Sequence, residues 1–284
     1  MKKTAIAILI AVLVVAIGGA LVFAGLSAVH FKVRDLDTTQ YVTNTHNVGE
    51  GFTRVELDID IADVRVEPAA DGKCRVVCVE QEKYPHAVTV QNGALMVQAM
   101  KERKWLDGMN IGILTHSPSV TVYLPQAAYE SLKVEAETGR VVLTPGLTFE
   151  TVEVDADTGA VEVDGVDVKR LKISDDTGRI KVSNMTPETV ELKASTGAIE
   201  VTDVVCSGDL SCEENTGSIR LTDVDGANLY LKADTGSISG TIRTEKVFHA
   251  KSSTGSVHVP EGTVGGRCEA HTDTGSIRLS ISGR

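Results

Sequence analysis

"KADTGSISG", residues 232–240, contains Asp234-Thr235-Gly236, the triplet in which retroviral-type aspartic proteases present a catalytic carboxylate. The rest of the chain decides whether it is catalytic here. Thr-Gly recurs with threonine at 138, 158, 177, 196, 216, 235, 254 and 274, at successive spacings of 20, 19, 19, 20, 19, 19 and 20 residues. A fixed period of that length marks a solenoid. The residue before threonine is Glu137, Asp157, Asp176, Ser195, Asn215, Asp234, Ser253 and Asp273 in turn. Aspartic protease chemistry needs two carboxylates sharing a proton, and serine cannot take part in that. A turn accepts every one of these residues: Asp, Asn and Ser bond to backbone amides at a reversal, and glycine supplies positive φ. The triplet is therefore read as a structural turn.

The flanks say what the turn joins. Six and four residues before threonine stand apolar pairs such as Leu132/Val134, Leu171/Ile173, Leu210/Cys212 and Cys268/Ala270; three and five after it come Val141/Leu143, Ile180/Val182, Ile219/Leu221 and Ile277/Leu279. Polar residues alternate with them, the period-two signature of strands with one buried face. Each unit thus reads as strand, Thr-Gly turn, strand and return loop. Stacking such units at about 4.8 Å gives an all-β, parallel, right-handed β-helix-like solenoid over residues 131–284. Outward positions test the stacking, because Lys133, Glu153, Lys172 and Glu191 on one face and Glu162, Lys181, Glu200 and Arg220 on the other alternate in charge from coil to coil. Opposite charges on facing strands stabilise by roughly 0.2–1 kcal/mol per pair. Read in chain order, the array ends with Thr274-Gly275, so substitution there should disturb one neighbouring coil, and substitution at Gly197 two.

Residues 52–130 carry less regular strand runs, FTRVELDIDIADVRVEP, CRVVCVEQ, AVTVQNGALMVQAM and SVTVYLP, read as degenerate first coils. A loop at 101–119 with the single tryptophan, Trp105, is expected to shield the first edge. Residues 30–51 read as a linker. Ahead of it, residues 4–29 carry no charged side chain and exceed the roughly 20 apolar residues that span a bilayer. They are read as a single-pass signal anchor behind a cytoplasmic tail, residues 1–3, with the solenoid extracytoplasmic. A cleaved signal peptide with Val22-Phe23-Ala24 as its site is the second reading.

The net charge of −11 opposes phosphate-backbone binding, and aromatics at 4% supply few stacking platforms. No nucleic-acid partner is expected. Cys74 and Cys78, about 13 Å apart if both lie on one strand, cannot bond each other. Cys212 and Cys268 fall in inward slots and Cys206 in a return loop, where it is expected to be the most exposed thiol.

The apolar N-terminal segment, the LDIDIADVRVEP run at 57–68, VTVYLP at 120–125 and the ladder of D/S-T-G-S/A/R-I/V motifs together resemble the bacterial β-strand-repeat family labelled "putative adhesin", a domain of unknown function. The resemblance spans about residues 50–284. It implies surface attachment and supplies no catalytic residue, cofactor or metal ligand to carry over.

Other chemistry is weighed residue by residue. His30, His46, His86, His116, His249, His258 and His271 lack zinc-site spacing and read as solvated surface histidines, with His271 one rung from Lys251. Glu137, Asp157 and Asp176 would occupy consecutive rungs, which calcium favours, but Ser195 and Asn215 follow them, the nine-residue calcium-roll repeat is absent, and turn capping is the preferred reading. No catalytic, cofactor or metal site is expected. The preferred function is a non-enzymatic, membrane-anchored surface solenoid acting in adhesion or envelope-associated interaction, with a protein or glycan ligand. A β-helix enzyme acting on envelope polysaccharide is the alternative, favoured only if an acidic pair with perturbed pKa lies in a real cleft. A scaffold or sensor subunit of an envelope signalling system shares the same features.

Overall fold

The apolar positions that alternate through the repeats line the interior of a stacked β-solenoid in the computed structural model, which describes residues 17–21, 23–24, 27, 40–100 and 118–283. Two units form, one of Met1–Gln40 with Arg103–Ser117 and one of Tyr41–Glu102 with Pro118–Arg284. The second is the solenoid. In the first, residues 17–21, 23–24 and 27 are helical, and no described helix is long and apolar enough to cross a membrane. Most of the expected span 4–29, and the loop at 101–119 as far as 117, lie outside the described residues.

Seven strands open the solenoid: β1 Tyr41–Asn47, β2 Arg54–Ile61, β3 Asp63–Pro68, β4 Arg75–Gln81, β5 His86–Gln91, β6 Ala94–Ala99 and β7 Ser119–Leu124. The repeats follow as β8 Ala128–Thr138, β9 Val141–Leu143, β10 Thr148–Asp164, β11 Asp167–Met185, β12 Thr189–Val204 and β13 Asp209–Val224. The last coils are β14 Asn228–Thr235, β15 Ile238–Ile242, β16 Val247–Thr254, β17 Val257–His258, β18 Arg267–Thr274 and β19 Ile277–Ile281. From β8 to β14 the coils stack in parallel and in the register that the period implies, with Thr158↔Thr177, Thr177↔Thr196 and Thr196↔Thr216 opposite one another. The inward side chains, such as Val152, Ile173, Leu192 and Leu221, are buried.

The Thr-Gly element differs from the tight reversal expected. In β10 to β13 the ladder runs through it, pairing Gly159↔Gly178, Gly178↔Gly197 and Gly197↔Gly217, so there it is a corner within one long strand; in the other four coils the strand stops at threonine and a new one starts three residues on. Gly197 has φ +151, a region open essentially to glycine. A Cβ on it would sit 1.6 Å from the Gly178 carbonyl oxygen of the preceding coil, so the close approach of two backbones also demands glycine. A second corner column, absent from the sequence reading, is formed by Gly165, Asn184, Asp203 and Asp223 at φ between 52° and 57°. Gly, Asn and Asp are the residues that enter this left-handed region most readily.

Coil order departs from chain order at both ends. β14 and β15 pair with β18 and β19 through Leu229↔Cys268 and Ile238↔Ile277. β18 and β19 in turn pair with β16 and β17 through Phe248↔Cys268 and Val257↔Ile277. The terminal coil is therefore 247–258, and the expectation that Thr274-Gly275 closes the array is corrected. The two coils differ in burial and in strand length. Coil 267–281 fills its inner slots with buried Cys268, Ala270, Ile277 and Leu279, whereas Val257 is 37% exposed. In that outer coil the second strand lasts two residues before Pro260, which has no N–H to give a further coil.

At the opposite end β2 and β3 lie between β6–β7 and β8–β9, although β6 and β7 come between them in the chain. Three antiparallel pairings complete that end: β5 with β6, β4 with β7 and β1 with β4. The linker expected at 30–51 therefore contains a strand, β1, that belongs to the solenoid. An antiparallel edge of this kind covers ladder groups that would otherwise template aggregation.

Candidate functional site

Asp234, the carboxylate that raised the protease question, has a 43% exposed side chain and pairs with Lys232 at 3.1 Å. Four other residues before threonine bond sideways in two pairs: Ser195 Oγ donates to Asp176 at 3.2 Å and Ser253 Oγ to Asp273 at 3.5 Å. These two pairs tie neighbouring coils together, where capping of backbone amides was expected. The amide bond comes from one residue earlier, where Asp175 Oδ1 accepts the Thr177 N–H at 3.1 Å.

That earlier position points inward. It holds Ala136, Ala156, Ala194 and Ala233 in four coils, and Ser252, Thr272, Asp175 and Glu214 in the others. The hydroxyls donate to corner glycine carbonyls, Ser252 to Gly275 at 2.8 Å and Thr272 to Gly236 at 2.9 Å. Asp175 and Glu214 are 1% and 0% exposed, and Asp175 Oδ2 has no hydrogen-bond partner. Burial pushes Asp175 up to about 6, against the pull of the Thr177 amide. Burial likewise raises Glu214, against the Gly197 and Thr216 amides. Protonated, each acid becomes a donor like the Ser252 and Thr272 hydroxyls.

The sign of the pH effect follows. Between the unfolded value near 3.8 and the folded value of about 6 the folded chain binds more protons at Asp175, so stability falls as pH rises through that window and stays reduced above it. Asp175→Asn keeps an Oδ1 acceptor and adds a neutral donor. Relative to the parent it should be more stable at pH 7.5 by on the order of 2 kcal/mol and level with it near pH 4, as read by urea midpoints. An identical pH profile in both chains would show that Asp175 is not the titrating group.

At the antiparallel end a second buried cluster forms. Cys78, Glu80 and His86 are 0%, 1% and 8% exposed, and one ligand atom from each lies within 4.8 Å of the others. Alternation along β4 turns Val76, Cys78 and Glu80 inward, and the turn to β5 brings His86 over them. Glu80 Oε2 accepts the His86 backbone N–H at 2.7 Å and lies 2.6 Å from its Nδ1, while Oε1 accepts Asn44 Nδ2 at 2.6 Å. Burial first, and Glu80 second, push the Cys78 thiol up to about 12. The reading of the histidines as solvated therefore fails at His86 and at His46, whose Nε2 is buried, while His30 and His116 lie outside the described residues. The legible signal for His86 was a glutamate in an inward slot two residues from a cysteine.

All five cysteines are free and buried, so Cys212 and Cys268 are interior as expected and Cys206, at 4% exposure, is not an exposed thiol. His249 and His258 are exposed, and His271 stands opposite Lys251. The outward charge ladder forms in register, with Lys172 bridging Glu153 at 2.9 Å and Arg220 reaching Glu200 at 3.4 Å; exposed pairs of this kind contribute about 0–1 kcal/mol each. Glu137 is raised by burial first and then by Asp60, Asp157 and Asp58. The perturbed acids Asp175 and Glu214 lie inside the solenoid and not in a cleft. Among the described residues, the depression lined by Asn47, Phe52, Lys73 and Tyr129 brings together no nucleophile and base.

Residues 52–284 match the model of the family described as Toastrack DUF4097. Among solved structures, one described as a putative adhesin from Bacteroides fragilis aligns at TM-score 0.54 and 14% identity, over 85% of this chain and 97% of that one. A putative adhesin from Parabacteroides distasonis aligns at TM-score 0.48 and 12% identity, over 86% and 98%. A putative lipid binding protein from the same species aligns at TM-score 0.38 and 12% identity, over 86% and 98%. At such identities the first likeness speaks for fold alone, and the other two carry no argument. No curated protein matches the chain.

Proposed function

Since the chain belongs to the Toastrack DUF4097 family, a domain of unknown function, we propose that it is a non-enzymatic, membrane-anchored surface protein that holds its solenoid outside the cytoplasm for adhesion or envelope-associated interaction. The observation that carries this reading is the asymmetry of the two solenoid ends. One end, where β1 follows the N-terminal segment in the chain, is covered by antiparallel strands. The other ends in the coil of β16 and β17, whose inward residues Phe248, Ala250 and Val259 are only partly buried and whose Val257 is exposed. An edge strand with open backbone groups and a half-exposed apolar row is suited to pairing with another chain. The interior position of Asp175 and Glu214 speaks against their serving polysaccharide cleavage.

Protease added to intact cells tests the arrangement. Fragments from residues 131–284 should be released while a cytoplasmic control protein survives. Protection of that region until the cells are lysed would place the solenoid inside and overturn the proposal.

A further inference from the structure

We propose that Cys78, Glu80 and His86 form a binding site for a divalent transition metal of the zinc class at the antiparallel end of the solenoid. The three donors are a thiol, a carboxylate and an imidazole, the set that borderline-soft divalent ions take, whereas calcium and magnesium take oxygen alone. They are already gathered, since ligand atoms of all three lie within 4.8 Å of one another. They are also sheltered, because Cys78 is 0% and Glu80 1% exposed, so a bound ion would face little competition from water. Glu80 Oε2 already lies 2.6 Å from His86 Nδ1, so carboxylate and imidazole are brought together by the fold itself.

A further histidine lies on the same side of the ladder without belonging to the gathered three. β1 pairs with β4 so that Asn44 faces Cys78 and His46 faces Val76; His46 therefore shares the inward side of the ladder with Cys78 and Glu80 and is a diagonal neighbour of Cys78. Its Nε2 is buried and has no hydrogen-bond partner. A buried nitrogen without a partner is unfavourable, and coordination would satisfy it. His46 stands outside that 4.8 Å group, so its ring would have to turn toward the ion to become the fourth ligand that structural zinc sites have. Binding would clamp β1, β4 and β5, and it releases the Cys78 proton as the thiol becomes a thiolate ligand.

The test uses the full chain in detergent, without a histidine tag, reduced and treated with chelator. Cobalt(II) titration should produce the thiolate-to-cobalt charge-transfer band at one equivalent, zinc(II) should displace it, and zinc should raise the unfolding temperature. Cys78→Ser should abolish the band. His86→Gln keeps the thiol and should weaken cobalt binding at least about tenfold, which decides the matter if Cys78→Ser fails to fold. Absence of the band, or its survival in either variant at unchanged affinity, would overturn the proposal and leave a hydrogen-bonded Glu80–His86–Asn44 cluster that binds no ion.

Discussion

Gly197→Ala should destabilise the solenoid by at least about 4 kcal/mol, a loss outside the ordinary range for a single methyl group. The added Cβ would lie 1.6 Å from the Gly178 oxygen and 2.7 Å from its carbonyl carbon. Those atoms belong to the ladder, so relief requires two coils to part at their corner. Gly275 and Gly255 separate position from conformation. Their φ values are 152° and 150°, beside 151° at Gly197, and the nearest atom for a Cβ on either is a glycine oxygen at 1.9 Å. The conformational penalty is thus nearly equal at all three positions. What differs is that Gly275 lies between two coils, its Cβ meeting Gly236 and its own oxygen meeting the Cβ of Gly255, whereas Gly255 lies on the outermost coil. In a nearest-neighbour array an end coil can lift away at the loss of one interface. Gly275→Ala should be nearly as damaging as Gly197→Ala, and Gly255→Ala should lose less than half as much. Urea unfolding with hydrogen exchange over β10–β14 reads both the size and the location of the loss. A milder effect at Gly275 than at Gly255 would return the final coil to the end of the stack.

That comparison shows where sequence reading stops. The period of 19–20 residues identifies equivalent positions within a coil, and side-chain alternation identifies their faces, so the ladder Lys133, Glu153, Lys172, Glu191 is legible in the sequence alone. Period says nothing about which coil lies on which, because every coil presents the same Thr-Gly corner to any neighbour. The exchange is marked only weakly, by Ser252, Ser253 and Pro260 in the coil that ends outermost. The buried acids are hidden for a related reason. Asp175 and Glu214 stand next to the variable position before threonine and look like two more polar residues of a corner; only the inward direction of that slot, filled by alanine in four other coils, makes them costly. His86 is hidden because its partner Glu80 lies beyond a turn, in a region with no repeat to supply a register. The antiparallel strand β1 carries only partly buried and exposed residues, and its sequence YVTNTHN reads as readily as a linker.

Lys246→Met should cost about 3–5 kcal/mol at neutral pH, the usual consequence of removing one member of a buried pair. Lys246 lies on the segment that carries the chain past the exchanged coil to β16, and its Nζ is 2.6 Å from Asp225 Oδ1 and 2.7 Å from Thr244 Oγ1. Asp225 Oδ1 also accepts the Gly226 amide at 2.9 Å and the Thr244 hydroxyl at 3.1 Å. Burial alone would raise the Asp225 carboxyl, but these bonds, led by Lys246, outweigh it and hold the group below the ordinary carboxylate range. In the parent, then, Asp225 contributes stability at neutral pH that is lost as pH falls through its lowered pKa. Without Lys246 burial dominates, the folded pKa rises, and the sign reverses: the variant gains stability relative to the parent as pH falls from 7 toward 4. Lys246→Met with Asp225→Asn removes both charges and should recover most of the loss, since a neutral replacement for a buried pair is often close to neutral in stability. Urea midpoints of the parent, single and double variants at pH 7 and pH 4.5 check all three statements. A Lys246→Met loss below about 1 kcal/mol, or one that does not shrink on acidification, would mean that the pair is solvated and does not fasten the crossing.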